Sequence, residues 1–71
     1  MPQSITIQAE PIELCQLLKF AGLTSSGGEA KSVISAGLVQ VNGEIETRKR
    51  KKIVAGDFVM YADQTLTVVL A

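Results

Sequence analysis

The sequence predicts an α+β fold, two helices packed on one face of a small, mainly antiparallel sheet. Three observations carry that expectation. Apolar residues recur at helical spacing in two stretches, Leu14 to Ala21 and Ala30 to Ile34. Elsewhere they alternate with polar residues, as at Ile5 and Ile7 or Val39 and Val41. Turn chemistry, above all Asn42-Gly43, divides the alternating stretches. With 71 residues, 46% of them apolar, the chain reads as one domain over residues 1–71. A domain of this size buries only about 60% of its unfolded surface, so its core is modest.

Taken in order, Ser4 to Gln8 reads as a short strand suited to a sheet edge. Pro11 fits the first position of a helix, where its missing amide costs nothing, and Glu10 and Glu13 favour the positive end of the dipole. Leu14, Leu17, Leu18 and Ala21 form one buried stripe, leaving Gln16, Lys19 and Phe20 off it, and Gly22 ends the helix. Leu23 anchors the connection to a second helix over Gly27 to Ala36. Ser26 and Glu29 predict a capping box at its start, Ala30, Val33 and Ile34 its buried face, and Gly37 its stop. Val39 and Val41 follow as a half-buried strand, Asn42-Gly43 as a two-residue turn, and Ile45 is expected to resume the apolar side on the return strand. After a basic run come Ile53 and Val54, a turn at Ala55-Gly56-Asp57, a strand at Phe58 to Tyr61, a turn at Ala62-Asp63-Gln64 and a last strand from Thr65 to Leu70. Phe58 is expected in the core.

The net charge is zero, but its distribution is uneven. Arg48, Lys49, Arg50, Lys51 and Lys52 hold five of the seven basic residues, and the remainder sets Lys19 and Lys31 against seven acids, a balance of −5. One cationic patch on an acidic body focuses a positive potential that the net charge conceals. Cys15 is the single cysteine and there is no histidine, so a buried thiol is expected, with no disulfide, metal or cofactor. No signal peptide and no apolar run of about 20 residues is evident, which makes a cytoplasmic location the default.

Among stretches that could carry chemistry, the basic run is the most pointed. Five adjacent like charges repel one another, and a polyanion offsets that cost through counterion release, whereas the bland alternative is a solvated loop. Ile45 before the run and Ile53 after it suggest a structured loop between packed strands. Ser26-Gly27-Gly28 could bring free amides to a phosphate, but a capped interhelical turn explains the same residues. Lys31 sits in the first turn of its helix, where the dipole disfavours a cation, which hints at an anionic partner. The three aromatics, Phe20, Phe58 and Tyr61, are not interleaved with the basic run, so a base-stacking platform is poorly supported. No acid pair stands at a telling spacing, and Glu44 and Glu46 read as solvent-facing, with Glu46 able to pair with the run, so no catalytic residue is nominated.

The order Leu14…Leu18-Lys19…Gly22-Leu23…Ser26…Glu29-Ala30-Lys31…Ile34…Gly37…Val39…Val41-Asn42-Gly43…Gly56-Asp57 resembles the ribosomal-protein-S4-type RNA-binding domain over about residues 12–69. Gln16 to Lys19, Gly27 to Lys31 and Asn42-Gly43-Glu44…Glu46-Thr47-Arg48 look closest to its short, stand-alone bacterial versions. The resemblance implies a second helix and following hairpin that face structured RNA and hold it mainly by backbone contacts; ribosomal, transfer and small regulatory RNA are all compatible with phosphate-led binding. Carried residue by residue, it nominates Lys31, Asn42 and Arg48 to Lys52 as the RNA-binding residues. Gly27 stands where the wider family has an arginine, and Glu13-Leu14-Cys15 where it often has Arg-Leu-Asp, which moves weight onto the basic run.

These readings lead to a non-enzymatic, monomeric RNA-binding module. If all five cations of the run met phosphates, log K against log salt would slope by roughly −3.5 to −4.5. A protein-interaction adaptor of β-grasp-like type is the alternative, though Val69-Leu70-Ala71 lacks the Gly-Gly that carrier chemistry needs. Attachment to an anionic membrane surface has no amphipathic basic helix to support it.

Overall fold

In the computed structural model, which describes residues 2–71 (Pro2 by its backbone alone), the elements run β1 (Pro2–Ile7), β2 (Ile12–Glu13), α1 (Leu14–Phe20), α2 (Gly27–Ser35), β3 (Gln40–Val41), β4 (Glu44–Ile45), β5 (Lys52–Ile53), β6 (Phe58–Tyr61) and β7 (Gln64–Leu70). Five strands form one sheet in the order β1-β7-β6-β3-β4, and β2 and β5 form a second, two-stranded one. β1 runs parallel to β7, with Ile5 opposite Val68, while every other described pair is antiparallel. The α+β class therefore stands, with a mixed but mainly antiparallel sheet, and the predicted first strand lies at an edge.

Local chemistry explains α2 well. Ser26 is extended, and its Oγ accepts from the Glu29 amide at 3.1 Å. The return bond departs from the expected box. Glu29 Oε1 reaches one residue further back, where Ser25 offers both its amide at 2.6 Å and its hydroxyl at 3.1 Å. At the other end Gly37 adopts φ +78°, its amide donates to the Ile34 carbonyl, and the Leu38 amide donates to Val33. Gly22 ends α1 in the same way, with Leu23 donating back to Leu18. This left-handed closure satisfies the last free carbonyls of each helix.

The start of α1 differs from the expectation. Pro11 lies outside the helix, which begins three residues later at Leu14 after Ile12 and Glu13 pair with Ile53 and Lys52. Glu13 stands at the cap position without a side-chain hydrogen bond. The first helical amides instead find distant carbonyls: Leu14 donates to Lys51 at 2.9 Å and Cys15 to Lys49 at 3.1 Å. Partners supplied by tertiary structure override the local signal from Pro11, since the orphan amides of a first turn can be met by any acceptor in place.

Both helices pack on one face of the sheets. Leu14, Leu17, Leu18, Ala30 and Ile34 are fully buried together with Ile53 and Val59, and Ile7, Val41, Leu66 and Val68 complete the sheet side. Cys15 is a buried free thiol in this cluster, as expected. Burying each large aliphatic side chain contributes roughly 1.5–3 kcal/mol before conformational entropy is charged against it.

Two apolar residues leave the positions expected of them, and both do so by parity. The two-residue turn sets Val41 opposite Glu44 and Gln40 opposite Ile45. Ile45 therefore shares the face of Gln40, not that of Val41, and is 64% exposed. In β6 the buried residue is Val59, so Phe58 and Met60 point to the uncovered face, and Phe58 is exposed rather than in the core. Phe20, off the α1 stripe, is exposed as well. The last turn is formed by Ala62 and Asp63 alone, both with positive φ, and Gln64 already belongs to β7.

Candidate nucleic-acid interface

The hairpin β3–β4 and the loop after it build a single concave surface. Asn42 and Gly43 adopt φ +53° and +87°, the mirror-image turn that two-residue hairpins favour. The Asn42 side chain is tied into the neighbouring strand. Its Nδ2 donates to Asp57 Oδ1 at 3.1 Å, and its Oδ1 accepts from the Phe58 amide at 3.0 Å. Asp57 in turn accepts the Val54 amide through Oδ2. The tip of the hairpin is thus fixed to the β5–β6 turn.

The basic run is held by its backbone. Its carbonyls at Lys49 and Lys51 accept the first amides of α1, Lys51 donates to the Arg48 carbonyl at 3.3 Å, and Lys52 is already part of β5. Buried Ile53 anchors the far end. The run is a structured loop, although of the two expected flanking anchors only Ile53 is packed.

The five cations differ in their surroundings. Glu46 takes Arg48 from three donors: the amide at 3.0 Å, Nε at 2.9 Å and a terminal guanidinium nitrogen at 3.2 Å. The Glu46 side chain is only 13% exposed, against 71% for Arg48, so it does not simply face solvent. The hydrogen bond from Arg48 holds the Glu46 carboxyl below its ordinary pKa and raises that of the guanidinium. Lys52 lies 3.8 Å from Glu13 across the β2–β5 pair. Lys49, Arg50 and Lys51 make no ion pair among the described residues. Lys31 is exposed on α2 and likewise unpaired among the described residues.

A groove of about 470 Å³ opens between the hairpin and the loop, with Asn42, Glu44, Ile45, Glu46, Arg48 and Lys51 among its lining. The structure brings together three of the seven nominated residues there, Asn42, Arg48 and Lys51. Lys49, Arg50, Lys52 and Lys31 lie outside that lining. Glu44 and Ile45 are groove residues that were not nominated. Their position between the Asn42-Gly43 turn and the basic run was the signal available for them. No group of three or more histidine, cysteine, aspartate or glutamate residues among those described could hold a metal ion.

The fold belongs to a class. The family model described as the S4 domain matches residues 5–69, and the chain belongs to that family. In particular, it is 52% identical over 58 residues to YbcJ of Escherichia coli strain K12, covering 82% of this chain and 83% of that protein. The solution structure of YbcJ, described as revealing an "alfaL" motif involved in RNA-binding, matches with a TM-score of 0.68 at 46% identity, over 96% of this chain and 85% of that one. Bacillus subtilis strain 168 contributes a relative 42% identical over 59 residues, 83% of each chain, named "Probable ribosome maturation protein RlbA". A tyrosine–tRNA ligase of Ralstonia nicotianae is 43% identical over 60 residues, which are 84% of this chain but 15% of the ligase, so the likeness covers only a small part of that enzyme.

Proposed function

We propose that this chain is a non-enzymatic RNA-binding protein, acting in the cytoplasm as a monomeric single domain, that holds structured RNA through the loop at residues 48–52 with help from α2. The observation that carries this reading is the fixed backbone of the run. Its carbonyls are bound to the start of α1, so the lysine and arginine side chains project from a preorganised frame, and less ordering entropy is lost when phosphates are met. The relatives support it, since YbcJ is described as carrying a motif involved in RNA-binding, while the names of the other two invoke the ribosome and transfer RNA. Ribosomal or transfer RNA is the partner class we favour.

Within that reading the cations have separate roles. Lys49, Arg50 and Lys51 are the principal phosphate contacts, Arg48 and Lys52 are partly neutralised by Glu46 and Glu13, and Lys31 extends the cationic surface along α2. Asn42 acts as a positioning residue, because its amide group already bonds Asp57 and Phe58. Three principal contacts lower the expected slope of log K against log salt to about −2 to −2.7. Titrating a structured RNA stem–loop across a salt series measures it, and a slope near zero would overturn the reading. Replacing Lys49, Arg50 and Lys51 together by glutamine should weaken binding about 100- to 500-fold at 0.1 M salt, by the same counterion arithmetic. The loss should be similar for all sequences, because phosphate contacts position without specifying.

A further inference from the structure

The groove beside the basic loop contains a group that phosphate binding leaves without a purpose. Glu44 lines it, is exposed, and its carboxylate makes no hydrogen bond or ion pair among the described residues. Its neighbour Glu46 is occupied by Arg48, so the two acids of this hairpin are not equivalent. A free carboxylate in the same groove as Arg48 and Lys51 repels phosphate and so opposes non-specific binding of the backbone. An ionised carboxylate can only accept hydrogen bonds, and it accepts through two adjacent oxygens. The ligand that suits it therefore carries two adjacent donors.

Among the unpaired bases that single-stranded loops display, one has that edge. Guanine presents N1–H and the N2 amine side by side. Adenine and cytosine set each exocyclic amine beside a ring acceptor, and uracil sets its one N–H between two carbonyls. Reading of unpaired bases by their Watson–Crick edges is the common route to specificity in RNA recognition. A volume of about 470 Å³ falls within the roughly 300–1,000 Å³ of small-ligand sites, which admits a single base. Val41, on the same side of the hairpin as Glu44, is apolar lining, and Arg48 and Lys51 supply donors for the guanine O6 or the flanking phosphate.

We infer that the groove between the β3–β4 hairpin and the basic loop binds an unpaired guanine of the RNA, with the Glu44 carboxylate accepting from its N1–H and N2 amine. This inference rests on the RNA-binding reading and adds base specificity to it. The cationic loop supplies the affinity, and Glu44 decides which loops are retained.

Inosine, which lacks only the N2 amine, separates the two roles. Fluorescence anisotropy at 0.1 M salt would compare one RNA stem carrying a guanosine-containing loop, its inosine counterpart and its uridine counterpart. The intact protein should bind the guanosine loop at least about fivefold tighter than the inosine loop, the lower end of what a good bidentate base contact supplies. Glu44→Gln should erase that ratio while leaving the uridine loop bound as tightly or slightly tighter, because an acid beside the phosphates has been removed. Equal affinity of the intact protein for guanosine and inosine loops would overturn the assignment of the groove and leave phosphate-led binding standing. So would a guanosine preference that survives in Glu44→Gln. Failure to bind any of the three loops would overturn the RNA-binding reading, and the base site with it. Glu44 is an exposed edge-strand residue, so the variant is expected to fold, and an unchanged urea midpoint checks that.

Discussion

The two helices begin in opposite ways. At the start of α2 the chain closes on itself locally, with Ser26 Oγ on the Glu29 amide and the Glu29 carboxylate on Ser25. At the start of α1 no side chain caps the helix, and its amides are taken by carbonyls from the other half of the chain, at Lys49 and Lys51. Helix starts are ready-made anion sites when their amides are free. Here the chain itself takes the Leu14 and Cys15 amides at the start of α1 and the Glu29 amide at the start of α2, which withdraws those three donors from any anion. The difference also has a mechanical meaning. The α2 cap holds only α2, whereas the α1 cap fixes the helix and the cationic loop with the same two bonds.

The contrast can be broken most severely at Ile53, the fully buried residue that anchors the loop behind α1. Ile53→Ala should cost about 2–5 kcal/mol of stability in urea unfolding. Any native population should show faster hydrogen exchange at the Leu14 and Cys15 amides than at Glu29, because the loop supplying their acceptors has lost its anchor. Equal acceleration at both helix starts would mean that the loop does not secure α1. A smaller effect is expected at the other start. Ser26→Ala should cost about 1 kcal/mol and expose the Glu29 amide to exchange, with RNA affinity unchanged within about twofold. A large loss of affinity there would show that the capped turn itself, beyond the Lys31 side chain, contributes to binding.

The smallest effect concerns Glu46. Arg48 depresses its pKa in the folded state, so the linked stability is present above the unfolded-state carboxyl pKa and is lost as pH falls through the folded value. The midpoint of urea unfolding should therefore decline across the acid range more in the intact protein than in Glu46→Gln. Both partners are near the surface, so the difference should be slight and should shrink in high salt.

What the sequence disclosed follows the same division between local and distant partners. α2, the Asn42-Gly43 turn and both glycine helix stops were legible because their chemistry lies within a few residues. α1 was read as starting at Pro11 because the acceptors that define its true start lie beyond Arg48, where no local pattern points. The β2–β5 pair has two residues on each side, too few for periodicity to register. Phe58-Val59-Met60-Tyr61 is apolar throughout, so the sequence carried no parity signal, and the partner strands decided which two residues face inward. At the candidate interface the cations were obvious as a run. Their inequality was less visible, since it depends on Glu46 folding back onto Arg48 and on Glu13 arriving opposite Lys52 across a strand pair.

The parallel pairing of β1 with β7 has a temporal consequence. A nascent chain presents Ile5 and Ile7 early, but the strand that shields them is made from residues 64–70. Joining segments so far apart in sequence is entropically slow compared with forming either hairpin. The sheet therefore closes only after translation has passed residue 70, and until then β1 offers an uncovered apolar strand to chaperones and to neighbouring chains.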